Sequence, residues 1–209
     1  MKLFVNGGFL LAIEGIDGAG KSTLARLVAE KIGKRGYGVL LTREPTDGPW
    51  GRRIRESAVS GRMAPADELE AFIEDRKEHV AGVIRPGLEA GQVVVTDRYY
   101  FSTVAYQGAR GLDPAALLRQ NEAFAPEPHL LVIVDLDPAT GRARIGRRGD
   151  ATDEFETVSQ LSRTRAIFAS IQKPYLLRLD GSATPEGNRD AVLGFFRSAV
   201  AGRTCEPHQ

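Results

Sequence analysis

The sequence predicts an α/β fold of three layers, a five-stranded parallel sheet with helices on both faces, on three observations. Short apolar runs at Phe9 to Ile13, Val39 to Thr42, Val93 to Thr96, Leu130 to Asp135 and Tyr175 to Leu179 alternate with segments of helical period. Val93-Val94-Val95 is apolar without alternation, as in a strand covered on both sides. The third observation is a glycine-rich stretch, Gly15 to Thr23, set between the first apolar run and the first helical pattern, Leu24, Leu27, Val28 and Ile32.

That stretch reads Gly15-Ile16-Asp17-Gly18-Ala19-Gly20-Lys21-Ser22-Thr23, the spacing of a phosphate-binding P-loop. A triphosphate must be wrapped by backbone N–H groups, and Gly15, Gly18 and Gly20 let the backbone come close. The N–H groups and positive dipole end of the following helix point at the phosphates, and Lys21 reaches the outer ones. Ser22 is placed to hold a magnesium ion. The plain alternative is a glycine-rich turn before an ordinary helix; the strand before it and the helix after it favour nucleotide binding, with ATP and Mg2+ as the expected cofactors.

With 209 residues and no proline-rich or serine-rich linker, the chain is expected to form one domain over 1–209. Lys+Arg 28 against Asp+Glu 27 leaves a net charge of +1, so the balance calls for neither nucleic acid nor an anionic membrane as partner. The excess of arginine over lysine suits phosphate recognition and equally suits a GC-rich genome. Cys205 is the single cysteine, so no disulfide framework exists and a reducing compartment is the simplest expectation. The start resembles a secretory signal only briefly, because Gly7-Gly8 break its apolar run. No run approaches the roughly 18 apolar residues of a membrane span. A soluble cytoplasmic protein is expected.

Taken in order, the second strand ends in Arg43-Glu44-Pro45, at the sheet edge where ligands bind in parallel sheets. Thr46 to Gly51 reads as a loop, and Arg52 to Ser60 as a short helix with Ile54 and Ala58 inward. Trp50 is either a binding aromatic or a packed loop residue. A longer helix opens at Pro65, with Leu69, Phe72, Ile73, Val80, Val83 and Ile84 at helical spacing. Phe72 and Arg76 share one face of it. Periodicity alone favours a core phenylalanine beside a surface arginine over a ring and guanidinium that read a base.

The third strand ends in Asp97-Arg98-Tyr99, an acid suited to a magnesium shell through water and an arginine suited to a phosphate. Pro114 opens a helix, and Pro126 and Pro128 mark the loop into the fourth strand. Arg142, Arg144, Arg147 and Arg148 then cluster around Gly146 and Gly149, which reads as a mobile lid over ATP at about 142–156, or as a solvated helix end. A nucleic-acid patch there lacks interleaved aromatics. A helix from Thr157 to about Lys173, the last strand and a final helix with Val192, Leu193, Phe195 and Phe196 complete the pattern.

The chain resembles the thymidylate kinase family, which transfers the γ-phosphoryl group of ATP to thymidine monophosphate. The resemblance runs through nearly the whole chain and rests on Glu14 to Thr23, Thr42-Arg43-Glu44-Pro45, Phe72 with Arg76, Asp97-Arg98-Tyr99, Ser102, Ala105-Tyr106-Gln107-Gly108 and the strand end at Asp135. It implies that Asp17 lies near the acceptor's phosphate and sugar, and that Arg43 and Arg98 bind that phosphate. It further implies that Phe72 stacks on thymine, Arg76 and Gln107 hold the base, Tyr106 lies under the sugar, and the enzyme is a homodimer. Three places differ from the family pattern: Thr46 to Trp50, Glu74-Asp75, and Asp153 to Glu156, where Glu154 stands at a frequent arginine. Lys21, Arg98 and magnesium would neutralise the transferring phosphoryl, and Arg147 or Arg148 would supply the closing charge. A related kinase with another acceptor is the alternative. A P-loop switch protein is a weaker one, since no Asn-Lys-x-Asp element is present.

Overall fold

The computed structural model describes residues 2–147 and 158–205, with the Arg147 side chain outside that description. Its strands are β1 (Phe4–Val5), β2 (Phe9–Glu14), β3 (Val39–Arg43), β4 (Val93–Asp97), β5 (Leu130–Asp135), β6 (Leu176–Asp180) and β7 (Thr204–Cys205). Five of them form a parallel sheet in the order β3-β4-β2-β5-β6. Leu11 in the middle strand faces Val95 on one side and Leu130 on the other. Every residue of β2 is buried, as apolar Phe9 to Ile13 requires, whereas the edge strands carry exposed Arg43, Arg178 and Asp180.

The helices are α1 (Lys21–Gly33), α2 (Pro49–Ser60), α3 (Pro65–His79), α4 (Arg85–Glu89), α5 (Tyr100–Gly108), α6 (Pro114–Glu122), α7 (Pro138–Arg147), α8 (Val158–Ser170) and α9 (Pro185–Val200). The chain leaves β2 for the β3 edge, then returns through β4, β5 and β6 in the opposite direction. Right-handed crossovers therefore put α1 on one face and α2 to α8 on the other. α9 packs beside α1, and α5 packs against α3, α6 and α8. The reversal opens a crevice at the carboxyl ends of β2 and β4, where the glycine-rich loop and Asp97 both emerge.

Four local features depart from the sequence reading. Pro49 stands at the start of α2, so Trp50 is helical and lies beside Arg53, whose guanidinium is 5.5 Å from the ring centroid. A proline with fixed φ and no N–H suits that first helical position. On the same helix Ile54 and Ser57 point inward, and Ala58 is exposed. The helix opened by Pro65 widens into a π-helical turn at Val80–Ile84, because Pro86 lacks the N–H that would bond one turn back and its ring crowds that carbonyl. β1 and β7 pair antiparallel and tie the two ends of the described chain together, a contact too short to leave a periodic signal.

Ile73, with Val80 and Ile84 in the turn that follows, is buried as periodicity implies, but the buried face of α3 also carries Glu68, Asp75, Arg76 and His79. Among the described residues, no helix is long and apolar enough to cross a membrane.

Candidate active site

The loop after β2 closes on itself through backbone geometry. Gly18 has φ 79°, and a Cβ there would collide with the Gly141 carbonyl of α7, so the loop fits only without a side chain. Lys21 is buried and donates to the Ile16 carbonyl at 2.8 Å, with Asp17 at 3.8 Å. Burial, reinforced by the Arg98 charge, pushes its ammonium down to about 8. Ser22 Oγ donates to Asp97 Oδ2, while Asp97 Oδ1 is buried with no partner. A hydroxyl beside an orphaned carboxylate oxygen is a hard-oxygen donor set that suits Mg2+. No group of three or more His, Cys, Asp or Glu is arranged for a metal among the described residues, so an ion here would take its other ligands from phosphate and water.

Arg98 follows β4 with φ 69°, the one non-glycine residue with positive φ among those described. Such strain persists where surrounding bonds fix it. Its N–H donates to the Ile13 carbonyl at 3.0 Å, and its own carbonyl accepts from Thr96 Oγ1 at 2.7 Å. Glu14, fully buried at the end of β2, accepts from the N–H groups of Tyr99 and Ser102 and from Ser102 Oγ at 2.6 to 3.0 Å, fixing the start of α5. Burial pushes the Glu14 carboxyl up to about 7 against these bonds and the Arg98 charge. The Arg98 guanidinium bonds Asp17 and Ser102 and lies 5.2 Å from the Tyr106 ring centroid. Tyr106 donates to the other Asp17 oxygen at 2.6 Å. Burial, then the Asp17 charge, holds the phenol well above its ordinary range.

From this group a cavity of about 270 Å³ runs under α2 and α3, lined by Phe72, Arg76, Tyr106 and Gln107 and closed at the loop end by Asp17, Arg55 and Arg98. Arg76 is fully buried, and its position comes from paired charges: Nε and Nη2 donate to Glu44 Oε2 at 2.9 and 2.6 Å, Nη1 to Asn121 Oδ1 at 2.6 Å, and Nη2 to Thr103 Oγ1 at 3.1 Å. His79 holds the second Glu44 oxygen at 3.0 Å. Burial raises the Glu44 carboxyl, but the Arg76 charge and the His79 bond outweigh it and leave the group below its ordinary value. The surface position that periodicity favours for Arg76 is thus overturned by a partner 32 residues away.

Arg43 is not part of this cavity. Successive strand residues face opposite ways, so with Glu44 turned in, Arg43 turns out, where it is exposed and pairs with Asp47 at 2.8 Å beside Ser22 and Thr42. Arg55 takes the place beside the cavity, donating to the Pro45 carbonyl and to Asp47 at 3.1 Å. The sequence signal for Arg55 was its position next to inward Ile54.

On the other side of the loop a second cavity, of about 220 Å³, is bounded by Gly18, Thr23, Arg144, Gly181 and Asn188. Arg144 Nη1 donates to the Gly181 carbonyl at 3.0 Å. Gly181 follows β6 at the same sheet edge, a signal that marks this turn as part of the site. Ala19 also lines this second cavity, and Gly15 and Ile16 complete the loop. The expected lid charges lie outside the described residues, Arg148 entirely and Arg147 by its side chain, as does Asp153 to Glu156.

A family model described as thymidylate kinase matches residues 13–191. The chain belongs to the thymidylate kinase family. The thymidylate kinase of Xanthomonas campestris pv. campestris (strain B100) is 53% identical over 200 residues, covering 96% of this chain and 86% of that protein. Those of Xanthomonas oryzae pv. oryzae (strain PXO99A) and Xylella fastidiosa (strain M12) are 51% and 47% identical, each over 94% of this chain and over 86% and 90% of their own lengths.

Two of the places where this thymidylate kinase family member differs from the family pattern explain each other. Asp75 accepts from the Thr46 N–H at 2.9 Å and from Thr46 Oγ1 at 2.6 Å, and Thr46 Oγ1 in turn accepts from the Gly48 N–H at 3.0 Å. The acid therefore pins the turn that launches α2, and Gly51 packs so tightly on the Thr46 backbone that any Cβ would collide with it. Glu74 faces away and pairs with Lys77 at 2.7 Å.

Proposed function

We propose that this chain transfers the γ-phosphoryl group of ATP to thymidine monophosphate, giving ADP and thymidine diphosphate. The carrying observation is that two cavities of different character meet at one phosphate cradle. The small space of Asp17, Lys21, Ser22, Asp97 and Arg98 shares Asp17 and Arg98 with the base-sized cavity, and shares Gly18, Gly20 and Thr23 with the cavity beside Arg144. ATP lies on the Arg144 side with its phosphates along Gly15 to Thr23. The acceptor lies on the Phe72 side with its phosphate toward Arg55 and Arg98.

Phe72 stacks on the base, Arg76 and Gln107 bond its edge, and Tyr106 lies under the sugar, where a 2′-hydroxyl would crowd it. Asp17 holds Arg98 and Tyr106 in register. Ser22, and Asp97 through water, would hold magnesium, which neutralises phosphate charge during transfer. The chemistry is positioning and electrostatics: the acceptor is already a phosphate oxygen, and Lys21 and Arg98 meet the charge that develops on the moving group. Since Ile16 to Ala19 contain no arginine, Arg147 or Arg148 supplies the closing charge on the γ-phosphate. Homodimer assembly and a cytoplasmic setting are supported by family membership alone, and light scattering at working concentration decides the first.

The test is ADP formation with a panel of nucleoside monophosphates. Thymidine monophosphate is expected to be the best acceptor. A purine monophosphate as the best acceptor, or ATP turnover independent of any monophosphate, overturns the reading.

A further inference from the structure

Gln107 lines the base-sized cavity fully buried, and its two amide ends are not equivalent. Nε2 donates to Glu68 Oε2 at 2.7 Å, while Oε1 is enclosed with no partner. Glu68 is itself buried and surrounded by donors. Arg62 Nε reaches its Oε1 at 2.7 Å, Arg62 Nη2 its Oε2 at 3.1 Å, and Arg110 bonds the same Oε2. A carboxylate held by two guanidiniums only accepts, so the amide must present its nitrogen to it. Turning the amide over would set oxygen against oxygen in a buried site and strand the NH2 group.

We infer that Glu68 is a positioning residue that locks the Gln107 amide so that its oxygen faces the acceptor's base, selecting among the pyrimidines those with a proton on N3. The inference rests on the proposed placement of the base in this cavity. On the same cavity wall, Arg76 is bonded to Thr103, one turn before Gln107 on α5, and has four of its five N–H donors engaged by Glu44, Asn121 and Thr103. One donor is left for the base. The wall thus offers one donor and one acceptor to the same cavity. Thymine and uracil complement that order, with O4 accepting and N3–H donating. Cytosine presents the reverse, an amino group at C4 and a bare N3, and meets donor with donor and acceptor with acceptor. Uracil and thymine are not separated by this device, because they differ only by a methyl group.

The test measures equilibrium affinities for dTMP, dUMP and dCMP, and for ATP, in the parent, Glu68→Gln, Gln107→Ala and the double variant. In Glu68→Gln the new amide can accept or donate, so Gln107 is free to turn. The preference for dTMP over dCMP is expected to fall at least tenfold, with dUMP following dTMP and ATP affinity unchanged. In the Gln107→Ala background the Glu68 change is expected to add nothing to that loss. A merely structural role would weaken all three pyrimidines alike and leave the ratio intact, which overturns the inference. An equal loss of ratio with and without Gln107 overturns it too, since Glu68 would then act by another route. If Gln107→Ala alone leaves dTMP affinity and the ratio unchanged, the base does not lie against Gln107, and the placement fails along with the inference. Should Glu68→Gln not fold, Glu68→Met, which keeps the length of the side chain and removes the carboxylate, is read by the same ratio, and an unchanged ratio there overturns the inference.

Discussion

The two sides of the phosphate cradle are built on opposite plans. On the side proposed for ATP one contiguous stretch, Gly15 to Thr23, presents backbone N–H groups and a helix start, and its few side chains lie close in sequence. On the acceptor side the wall is assembled from β3, α2, α3, α5 and α6, with Glu44 reaching Arg76 across 32 residues and Asn121 reaching it across 45. The contrast teaches that losing a side chain on the first side removes charge from the transition state and little else. On the second side it strands a buried partner.

The largest expected effect comes from Lys21→Met. In the proposed mechanism Lys21 meets charge that forms only as the phosphoryl group moves, so kcat should fall at least about a hundredfold, or ~2.7 kcal/mol of barrier, while thermal unfolding changes little. A kcat within about tenfold of the parent, with the fold intact, breaks the account of the loop. Next is the double variant Arg147→Ala, Arg148→Ala. A closing charge in phosphoryl transfer contributes several powers of ten, so kcat should drop far more than either KM. A double variant within about threefold of the parent would assign the closing charge elsewhere.

Arg76→Ala sharpens the comparison on the other side. It leaves Glu44 charged and buried without its main partner, a loss of about 3–5 kcal/mol of stability by denaturant unfolding, and it raises the KM for dTMP far more than that for ATP. If the variant is as stable as the parent, the Glu44 pair does not hold this wall together.

A smaller effect separates the sides by proton count. Burial holds free Lys21 near 8, and triphosphate charge must raise it. ATP binding at about pH 9 should therefore take up protons through Lys21, an uptake absent well below pH 8, where the group is already charged. Calorimetry in buffers of different ionisation enthalpy measures it, with Lys21→Met as the control that should lose it. Equal proton uptake by the parent and the control would contradict a nucleotide-linked Lys21.

What could be read from the chain follows the same division. The loop, the parallel sheet and the apolar strands are local in sequence, and period and glycine spacing show them directly. Arg98 was legible because it directly follows a strand end. Only the family resemblance turns Arg76 toward the base-sized cavity that it lines, since its burial depends on Glu44 and Asn121, which no local pattern pairs with it. Arg43 and Arg55 show the remaining difficulty: both lie near Pro45, and only strand alternation and the start of α2 at Pro49 turn one out and the other in. Asp75 reads as an intruder beside Arg76 until the Thr46 turn is seen to need it.

The most direct test of the two-sided site is to measure KM for dTMP and for ATP in Arg55→Ala beside Arg43→Ala. The geometry predicts that Arg55→Ala raises the KM for dTMP by about tenfold or more with that for ATP within about twofold, and that Arg43→Ala moves neither by more than about twofold. A larger rise in the dTMP KM for Arg43→Ala, or a rise in both constants alike for Arg55→Ala, would contradict it.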